Sequence, residues 1–190
     1  MKKILLSFLF LLMMCAGLTA GGMSLSLSTG LLVPVTQFNA DDTGWNENEN
    51  FPGMMSDASY KVDMAFDYAF TPCFSLGLST SYEQLDSPFT DDFMFNIPLY
   101  IDMIFTVNVK DRVSIPFTVS AGGYVSFRGD SFSLGPAVRL SAAVDIRTTD
   151  WMTLFLEMQH ELLFTVRDDF GTFDMTYYMV PVSAGIRFTF

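Results

Sequence analysis

The segment from Met179 to Phe190 alternates between two kinds of side chain without interruption. One set is apolar and ends on aromatic residues: Val180, Val182, Ala184, Ile186, Phe188 and Phe190. The other set is smaller and more polar: Met179, Pro181, Ser183, Gly185, Arg187 and Thr189. Alternation with a period of two predicts a β-strand whose two faces meet different surroundings. Because the apolar face continues to the final aromatic residue, the pattern favours a strand that crosses a membrane.

Seven earlier segments alternate in the same way. They cover about Met23–Val33, Tyr60–Phe70, Phe74–Glu83, Phe93–Val107, Val113–Val125, Phe132–Ile146 and Trp151–Leu163. Their polar faces consist mostly of Ser, Gly, Ala and Thr with isolated charges, and small residues suit the crowded interior of an eight-stranded barrel. A soluble barrel would instead carry many Lys and Glu residues on its exterior. The sequence therefore predicts an all-β fold, an eight-stranded antiparallel up-and-down transmembrane β-barrel.

The connections between these strands alternate in length. The longer polar connections are predicted at about Gln37–Ser59, Gln84–Asp92 and Thr165–Asp174, with an intermediate one around Arg128–Asp130. The short turns are predicted at Thr71–Cys73, Asn108–Arg112 and Arg147–Asp150. Long loops at one rim and short turns at the other are typical of the bacterial outer membrane. We expect the loops to face the outside and both termini to lie in the periplasm.

The N-terminus predicts export. Two lysines precede an apolar run from Ile4 to Met14, and small residues follow, which is the pattern of a secretory signal. We expect residues 1–20 to be the signal, with cleavage after Ala20 (or after Gly22), and residues 21–190 to be the barrel domain. Cys15 leaves a lipoprotein alternative, although Met14 is not the small residue that a lipobox requires. No later run is long enough for a spanning helix, so a closed barrel is the remaining way across a bilayer.

Charge and cysteine content exclude some functions. The chain has 10 basic and 21 acidic residues and a formal net charge of −11, which becomes −13 when the two signal lysines are removed. A sequence pI near 4.2 argues against a nucleic-acid partner, because little would neutralise the phosphates. Only Cys73 remains after signal removal, so no intramolecular disulfide is expected.

Two short motifs, together with the strand layout, make the chain similar to a known family. Ile97-Pro98-Leu99-Tyr100 in the fourth strand and Ile186-Arg187-Phe188-Thr189-Phe190 at the end fit the eight-strand layout. With them the chain resembles the bacterial outer-membrane β-barrel domain family, the small OmpA, OmpX and opacity-type barrels. The resemblance implies a monomer surrounded by outer-membrane lipid. It also implies that the barrel-assembly machinery recognises the last strand, and that Ile186, Phe188 and Phe190 are the recognition signal.

Isolated charges on the polar faces are the main candidates for a site. They are Lys61, Asp63, Asp67, Glu83, Asp102, Arg139, Asp145, Glu157, Glu161 and Arg187. Charges inside a barrel must be paired or hydrated. The first interpretation is a network that fills the lumen, and the second is a narrow cation-preferring path, because acids outnumber bases. Catalytic carboxylates are the third and weakest interpretation.

Other residues suggest weaker hypotheses. His160 falls on the lipid-facing side, as in outer-membrane lipid A deacylases, but Leu162 stands where a serine would be needed, so we expect an interfacial histidine and no enzyme. The triplet Arg128-Gly129-Asp130 lies in a surface connection and suggests contact with host surface molecules. The acidic first loop lacks calcium-loop spacing, so no metal or cofactor is expected. We expect a structural or surface-interaction role, with a narrow porin-like channel for small solutes or cations as the alternative.

Overall fold

The computed structural model describes residues 22–37, 59–86, 93–128, 131–167 and 172–190. The predicted signal at residues 1–20 lies outside these ranges. The β-segments are β1 (Met23–Leu31), β2 (Pro34–Gln37), β3 (Tyr60–Thr71), β4 (Phe74–Asp86), β5 (Phe93–Lys110), β6 (Val113–Arg128), β7 (Ser131–Arg147), β8 (Met152–Arg167), β9 (Thr172–Met179) and β10 (Val182–Thr189). Across the described ranges, no helix has the length and apolar character needed to cross a membrane.

The segments form one closed antiparallel sheet. From β3 to β8 each segment pairs with the next one in the chain, which for β8 is β9, and β3 also pairs with β1. The sheet closes because β10 pairs with β8 on one side and with β1 on the other, from Ser24↔Thr189 to Leu31↔Val182. The segments β1 and β2 together make the first barrel strand, and β9 and β10 make the last. The predicted eight-stranded up-and-down barrel is therefore confirmed.

Proline explains why the first and last barrel strands are interrupted. Pro34 begins β2, and Pro181 lies between β9 and β10. Proline has no backbone N–H to give to a ladder, so it favours the start of a strand or a break. The two interruptions lie opposite each other, since Pro34 pairs with Met179, and the gap is bridged by the Val180 N–H donating to the Val33 carbonyl at 2.9 Å.

Several strands are longer than the sequence pattern predicted. The prediction of loop from Gln84 was wrong for Gln84–Asp86, which belong to β4. Likewise Thr165–Arg167 belong to β8 and Thr172–Asp174 to β9, where a polar loop was predicted. The physical reason is that ladder hydrogen bonds join backbone groups, so pairing continues past the level at which side chains become polar. Gln37, the first residue of the predicted first loop, belongs to β2, and residues 38–58, 87–92 and 168–171 lie outside the described residues.

The barrel is apolar outside and polar inside. Leu99 and Ile101 are each 62% exposed, whereas Lys61, Glu83 and Glu161 are completely buried. Soluble proteins show the opposite arrangement and rarely expose a continuous apolar surface of this kind. The predicted directions of the two faces are therefore confirmed, and the soluble-barrel alternative is wrong.

Aromatic side chains form a band near each rim. Towards the long connections, Tyr60, Tyr82, Phe95 and Phe127 follow one another across β3 to β6, with ring centroids 6.2, 6.0 and 4.8 Å apart. Towards the short turns a second set lies on the outer surface. It comprises Tyr68, Phe70, Phe74 and Phe105, together with the stacked pair Trp151 and Phe188. Two such bands are the interfacial girdles of a membrane barrel.

Replacing Ile101 by Arg tests the lipid-facing surface. Ile101 lies near the middle of β5 and points outward. A guanidinium at mid-bilayer destabilises a barrel, so we expect the free energy of unfolding in lipid vesicles to fall by roughly 2–4 kcal/mol. Val109→Arg, at an exposed residue of β5 beside the turn, is the matched control and should lose about 0–1 kcal/mol. Equal losses in urea titrations would contradict the assignment.

Candidate functional site in the barrel lumen

The strand register places charged lumen residues directly opposite each other on neighbouring strands. Lys61 on β3 pairs with Glu83 on β4, and Arg139 on β7 pairs with Glu161 on β8. Because side chains of directly paired residues point to the same face of a sheet, each pair enters the lumen together. An eight-stranded barrel is narrow enough for side chains from opposite walls to touch.

Lys61 is the centre of the first cluster. Its Nζ donates to Gln159 Oε1 at 2.6 Å. It also lies 3.0 Å from Asp63 Oδ1, 3.6 Å from Glu83 Oε1 and 3.8 Å from Glu161 Oε2. The side chains of Lys61, Glu83 and Glu161 are completely buried. One ammonium group therefore lies within ion-pair distance of three carboxylates, away from water.

Arg139 is the centre of the second cluster. Its Nη2 donates to Ser79 Oγ at 2.6 Å and to Asp102 Oδ1 at 3.1 Å. The guanidinium lies 4.4 Å from the ring centroid of Tyr100, a cation–π contact. The Tyr100 hydroxyl donates in turn to Glu161. The ring of Tyr100 thus connects the Arg139 cluster to the Lys61 cluster.

Asp63 makes a second connection between these clusters. Its Oδ1 lies 3.0 Å from Lys61 Nζ and 4.0 Å from Arg139 Nη1. Its Oδ2 accepts from Ser28 at 3.1 Å. Side chains from β1, β3, β4, β5, β7 and β8 therefore meet in one hydrogen-bonded and charged network across the lumen, which we call the central network.

Arg187 forms a third cluster nearer the short turns. It donates to Asp145 and, through Nε, to Ser26 Oγ at 3.0 Å. Its guanidinium lies 5.2 Å from the ring centroid of Phe155. The Arg187 side chain keeps 22% of its surface exposed, whereas that of Lys61 keeps none. Water therefore reaches the lumen more readily from the short-turn end.

Apolar side chains cover the central network on the side of the long connections. This apolar layer comprises Leu32, Leu85, Tyr124, Ala137, Leu163 and Met179, and it is continuous with the ring of Tyr100, which also belongs to the central network. Leu85 follows Glu83 and Leu163 follows Glu161 along their strands, which places both leucines nearer that rim. Sequence reasoning missed this layer. The sequence does contain a signal for it. Leu85 and Leu163 are apolar residues at positions that the alternation assigns to the inward face, where most other side chains are small or polar.

The charges inside the barrel do not balance. Within the described residues the lumen holds the cations Lys61, Arg139 and Arg187. The carboxylates facing them are Asp63, Asp67, Glu83, Asp102, Asp145, Glu157 and Glu161. The described residues contain no group of three or more His, Cys, Asp or Glu side chains arranged to hold a metal ion. The structure thus brings together all ten charges that the sequence singled out, with acids in excess.

The remaining sequence candidates lie apart from the lumen. His160 is exposed on the outer face, where its Nδ1 lies 2.7 Å from the Tyr178 hydroxyl and its ring stacks on that of Tyr178. Leu140 is its partner on β7. The backbone of Arg128 pairs with Ser131, and Gly129 and Asp130 lie outside the described residues.

The last strand ends on the outer surface near the short turns. Ile186 is 37% exposed and Phe190 78% exposed, both towards the outside of the barrel. The ring of Phe188 stacks on Trp151 with centroids 6.0 Å apart, and the Phe190 N–H donates to the Met23 carbonyl at 2.8 Å. The last strand is therefore paired with the first described strand.

A closed barrel with an apolar exterior, two aromatic bands and a polar interior defines a membrane-spanning β-barrel protein. Its fold is similar to that of Neisserial surface protein A, with a TM-score of 0.61 and 12% identity over 90% of this chain and 98% of that one. A major outer membrane protein from Thermus thermophilus matches with a TM-score of 0.54 and 10% identity, covering 90% and 100% of the two chains.

A third similar structure is a complex. It is Ail, the attachment invasion locus protein of Yersinia pestis, with the heparin analogue sucrose octasulfate. Its TM-score is 0.53 at 11% identity, covering 90% of this chain and 100% of that one. No protein-family model matches the sequence, and no curated protein matches it. At these identities the likeness establishes the fold, and the resemblance to small outer-membrane barrels is confirmed at that level.

Replacing Lys61 by Met tests the central network. The change leaves Asp63, Glu83 and Glu161 without their shared cation, so we expect the free energy of unfolding to fall by about 3–5 kcal/mol. Lys110→Met removes an exposed lysine beside a turn and should change stability by less than about 0.5 kcal/mol. Adding Glu83→Gln to the Lys61 variant should recover part of the loss. Similar losses for the two lysine variants in denaturant titrations would contradict this role.

Proposed function

We propose that this protein is an integral outer-membrane barrel with a closed lumen, acting as a structural element and as a scaffold for surface contacts. The observation that carries the proposal is the central network covered by the apolar layer. Lys61 and Tyr100 are both completely buried where a conducting pore would need water. An ion crossing this level would have to break buried charge pairs and then cross a constriction lined by apolar side chains, which water leaves readily.

A narrow cation channel is the second candidate. The excess of carboxylates in the lumen supports it, because rings of Asp and Glu favour cations over anions. The apolar layer on the side of the long connections argues against it. A channel would require side chains such as Tyr100 and Leu163 to move away from the axis.

The surface role is supported by the sequence at the rim of the long connections. The segments 38–58, 87–92, 129–130 and 168–171 all join strand ends at this rim. They contain no basic residue, and their acidic residues are Asp41, Asp42, Glu47, Glu49, Asp57, Asp91, Asp92, Asp130, Asp168 and Asp169. Such a surface favours cationic partners. The anionic heparin analogue seen with Ail would be repelled here, so the contact would differ in chemistry from that complex.

The orientation and processing belong to the same proposal. Residues 1–20 would direct export, and residues 21–190 would form the barrel, with the acidic connections outside and both termini in the periplasm. The assembly machinery would recognise Ile186, Phe188 and Phe190 on the last strand, whose edge can pair with a partner sheet before closure. The folded product would be a monomer in outer-membrane lipid without enzymatic activity. Host surface molecules remain candidate partners through the Arg128-Gly129-Asp130 connection.

Conductance of the refolded protein in planar bilayers separates the two candidate functions. We expect no steady openings for the unmodified protein, because the central network and the apolar layer close the lumen. The double variant Tyr100→Ala and Leu163→Ala removes two completely buried side chains from this barrier. It should conduct and prefer cations, owing to the excess of carboxylates. Steady openings of the unmodified protein would overturn the closed-lumen proposal.

Labelling of Cys73 tests the orientation. Cys73 is exposed in the turn between β3 and β4, and it is the single cysteine after residue 20. A thiol reagent that cannot cross the outer membrane should leave intact cells unlabelled and react once that membrane is permeabilised. The matched control carries Asn48→Cys with Cys73→Ser and should be labelled on intact cells. The reverse result would place the short turns outside.

A further inference from the structure

We propose that His160 and Tyr178 form a binding site for an ester-linked lipid on the outer face of the barrel. The acyl carbonyl of the lipid accepts a hydrogen bond from His160 Nε2. The site belongs to the leaflet beside the long connections, whichever way the protein faces in the cell. It does not require that the lumen be closed, so its test is separate from those of the proposed function.

His160 and Tyr178 contact each other through a hydrogen bond and a ring stack. His160 Nδ1 lies 2.7 Å from the Tyr178 hydroxyl. The two rings are 6.0 Å apart between centroids, with an angle of 14° between their planes. The register explains the contact, because Tyr178 on β9 pairs with Leu162, which lies two residues after His160 and therefore on the same face of β8. Contacts from two strands thus hold the imidazole ring in place.

The contact with Tyr178 determines which imidazole nitrogen carries the proton. A charged ring facing hydrocarbon is strongly disfavoured, so the imidazole is neutral. A phenol hydroxyl is a good donor and a bare imidazole nitrogen a good acceptor, so the Tyr178 O–H donates to Nδ1 and the proton of the ring is on Nε2. Nε2 has no hydrogen-bond partner among the described residues. The pair therefore leaves one N–H donor for a group outside the protein.

Apolar side chains surround this donor on the outer face. Leu140 pairs directly with His160 and is 56% exposed, and Met158, two residues earlier on the same face, is 49% exposed. An unpaired N–H is costly in such surroundings, because hydrocarbon offers no acceptor. Neither neighbour carries a positive charge that would attract a phosphate. The surroundings therefore favour a neutral acceptor, as in the carbonyl of an acyl ester.

The position of His160 along β8 places it at the depth of such carbonyls. Trp151, which belongs to the aromatic band at the short turns, immediately precedes β8, and His160 follows it by nine residues. At about 3.3 Å per residue and a strand tilt of about 40°, this segment rises roughly 23 Å across the membrane. The apolar band of an outer-membrane barrel is about 25 Å tall, so His160 lies at its opposite edge. Acyl esters lie at this boundary between hydrocarbon and headgroups.

Unfolding in two kinds of vesicle tests the site. One is made of a diacyl phosphatidylcholine and the other of its dialkyl ether analogue, which has the same headgroup and chain length without the carbonyls. For each protein we compare the equilibrium constant for unfolding in ether vesicles with that in ester vesicles. This ratio should be about two- to tenfold larger for the unmodified protein than for His160→Phe, which keeps a ring and lacks the donor.

Leu99→Phe is the matched control for this comparison. Leu99 is 62% exposed on the lipid-facing side of β5, far from His160 in the strand order. The variant should keep the ratio of the unmodified protein, because it introduces the same side chain without removing a donor. Equal ratios for the unmodified protein and His160→Phe would overturn the proposal.

Solid-state NMR identifies the partner of Nε2 directly. His160 is the single histidine of the chain, so a histidine label reports on it alone. In vesicles whose ester carbonyls carry ¹³C, we expect Nε2 to be protonated and to transfer magnetisation to those carbonyls. Transfer to headgroup phosphorus alone, or to water alone, would contradict the proposed ligand. If His160→Phe does not fold, this spectrum of the unmodified protein decides the question.

Discussion

The whole structure depends on the need to pair every backbone N–H and C=O group inside a bilayer. Hydrocarbon offers no hydrogen bonds, so a sheet that spans it must close on itself. Closure here is made by β10, which pairs with β8 on one side and with β1 on the other. Because the ladder fixes which residues stand opposite each other, it also fixes the contents of the lumen. The interior chemistry is therefore a consequence of strand pairing rather than of local sequence.

Closing a sheet of eight strands forces side chains from opposite walls into contact. Lys61 from β3 reaches Gln159 and Glu161 on β8, and Tyr100 from β5 reaches Glu161 as well. In a soluble protein such charges would stay on the surface in water. The outer surface of a membrane barrel contacts lipid within the bilayer. At that depth charged side chains are therefore stable in the lumen, where they can pair with one another. The central network holds the walls together and at the same time occupies the path of a solute.

Alternation in the sequence was sufficient to predict the fold and the direction of each face. Val62 and Met64 were expected outside and Lys61 and Asp63 inside, and the structure agrees. A period of two fixes which residues share a face, and the small polar residues of one face indicated that it points inward. Strand ends were predicted less well, as at Gln84–Asp86, since backbone pairing is indifferent to side-chain polarity. The partners within the lumen depend on register between strands far apart in the chain. Nothing in the sequence around Lys61 indicates that it contacts Glu161, and nothing around Gly77 indicates that it pairs with Asp67.

The two ends of the lumen differ in how far they exclude water. The apolar layer covers the network on one side, while Arg187 stays partly exposed on the other. An excess of carboxylates in such an interior requires compensation by protons or small cations, because uncompensated charges are strongly disfavoured away from water. The asymmetry of the two ends therefore means that such compensation would come from the short-turn end, where Arg187 is partly exposed.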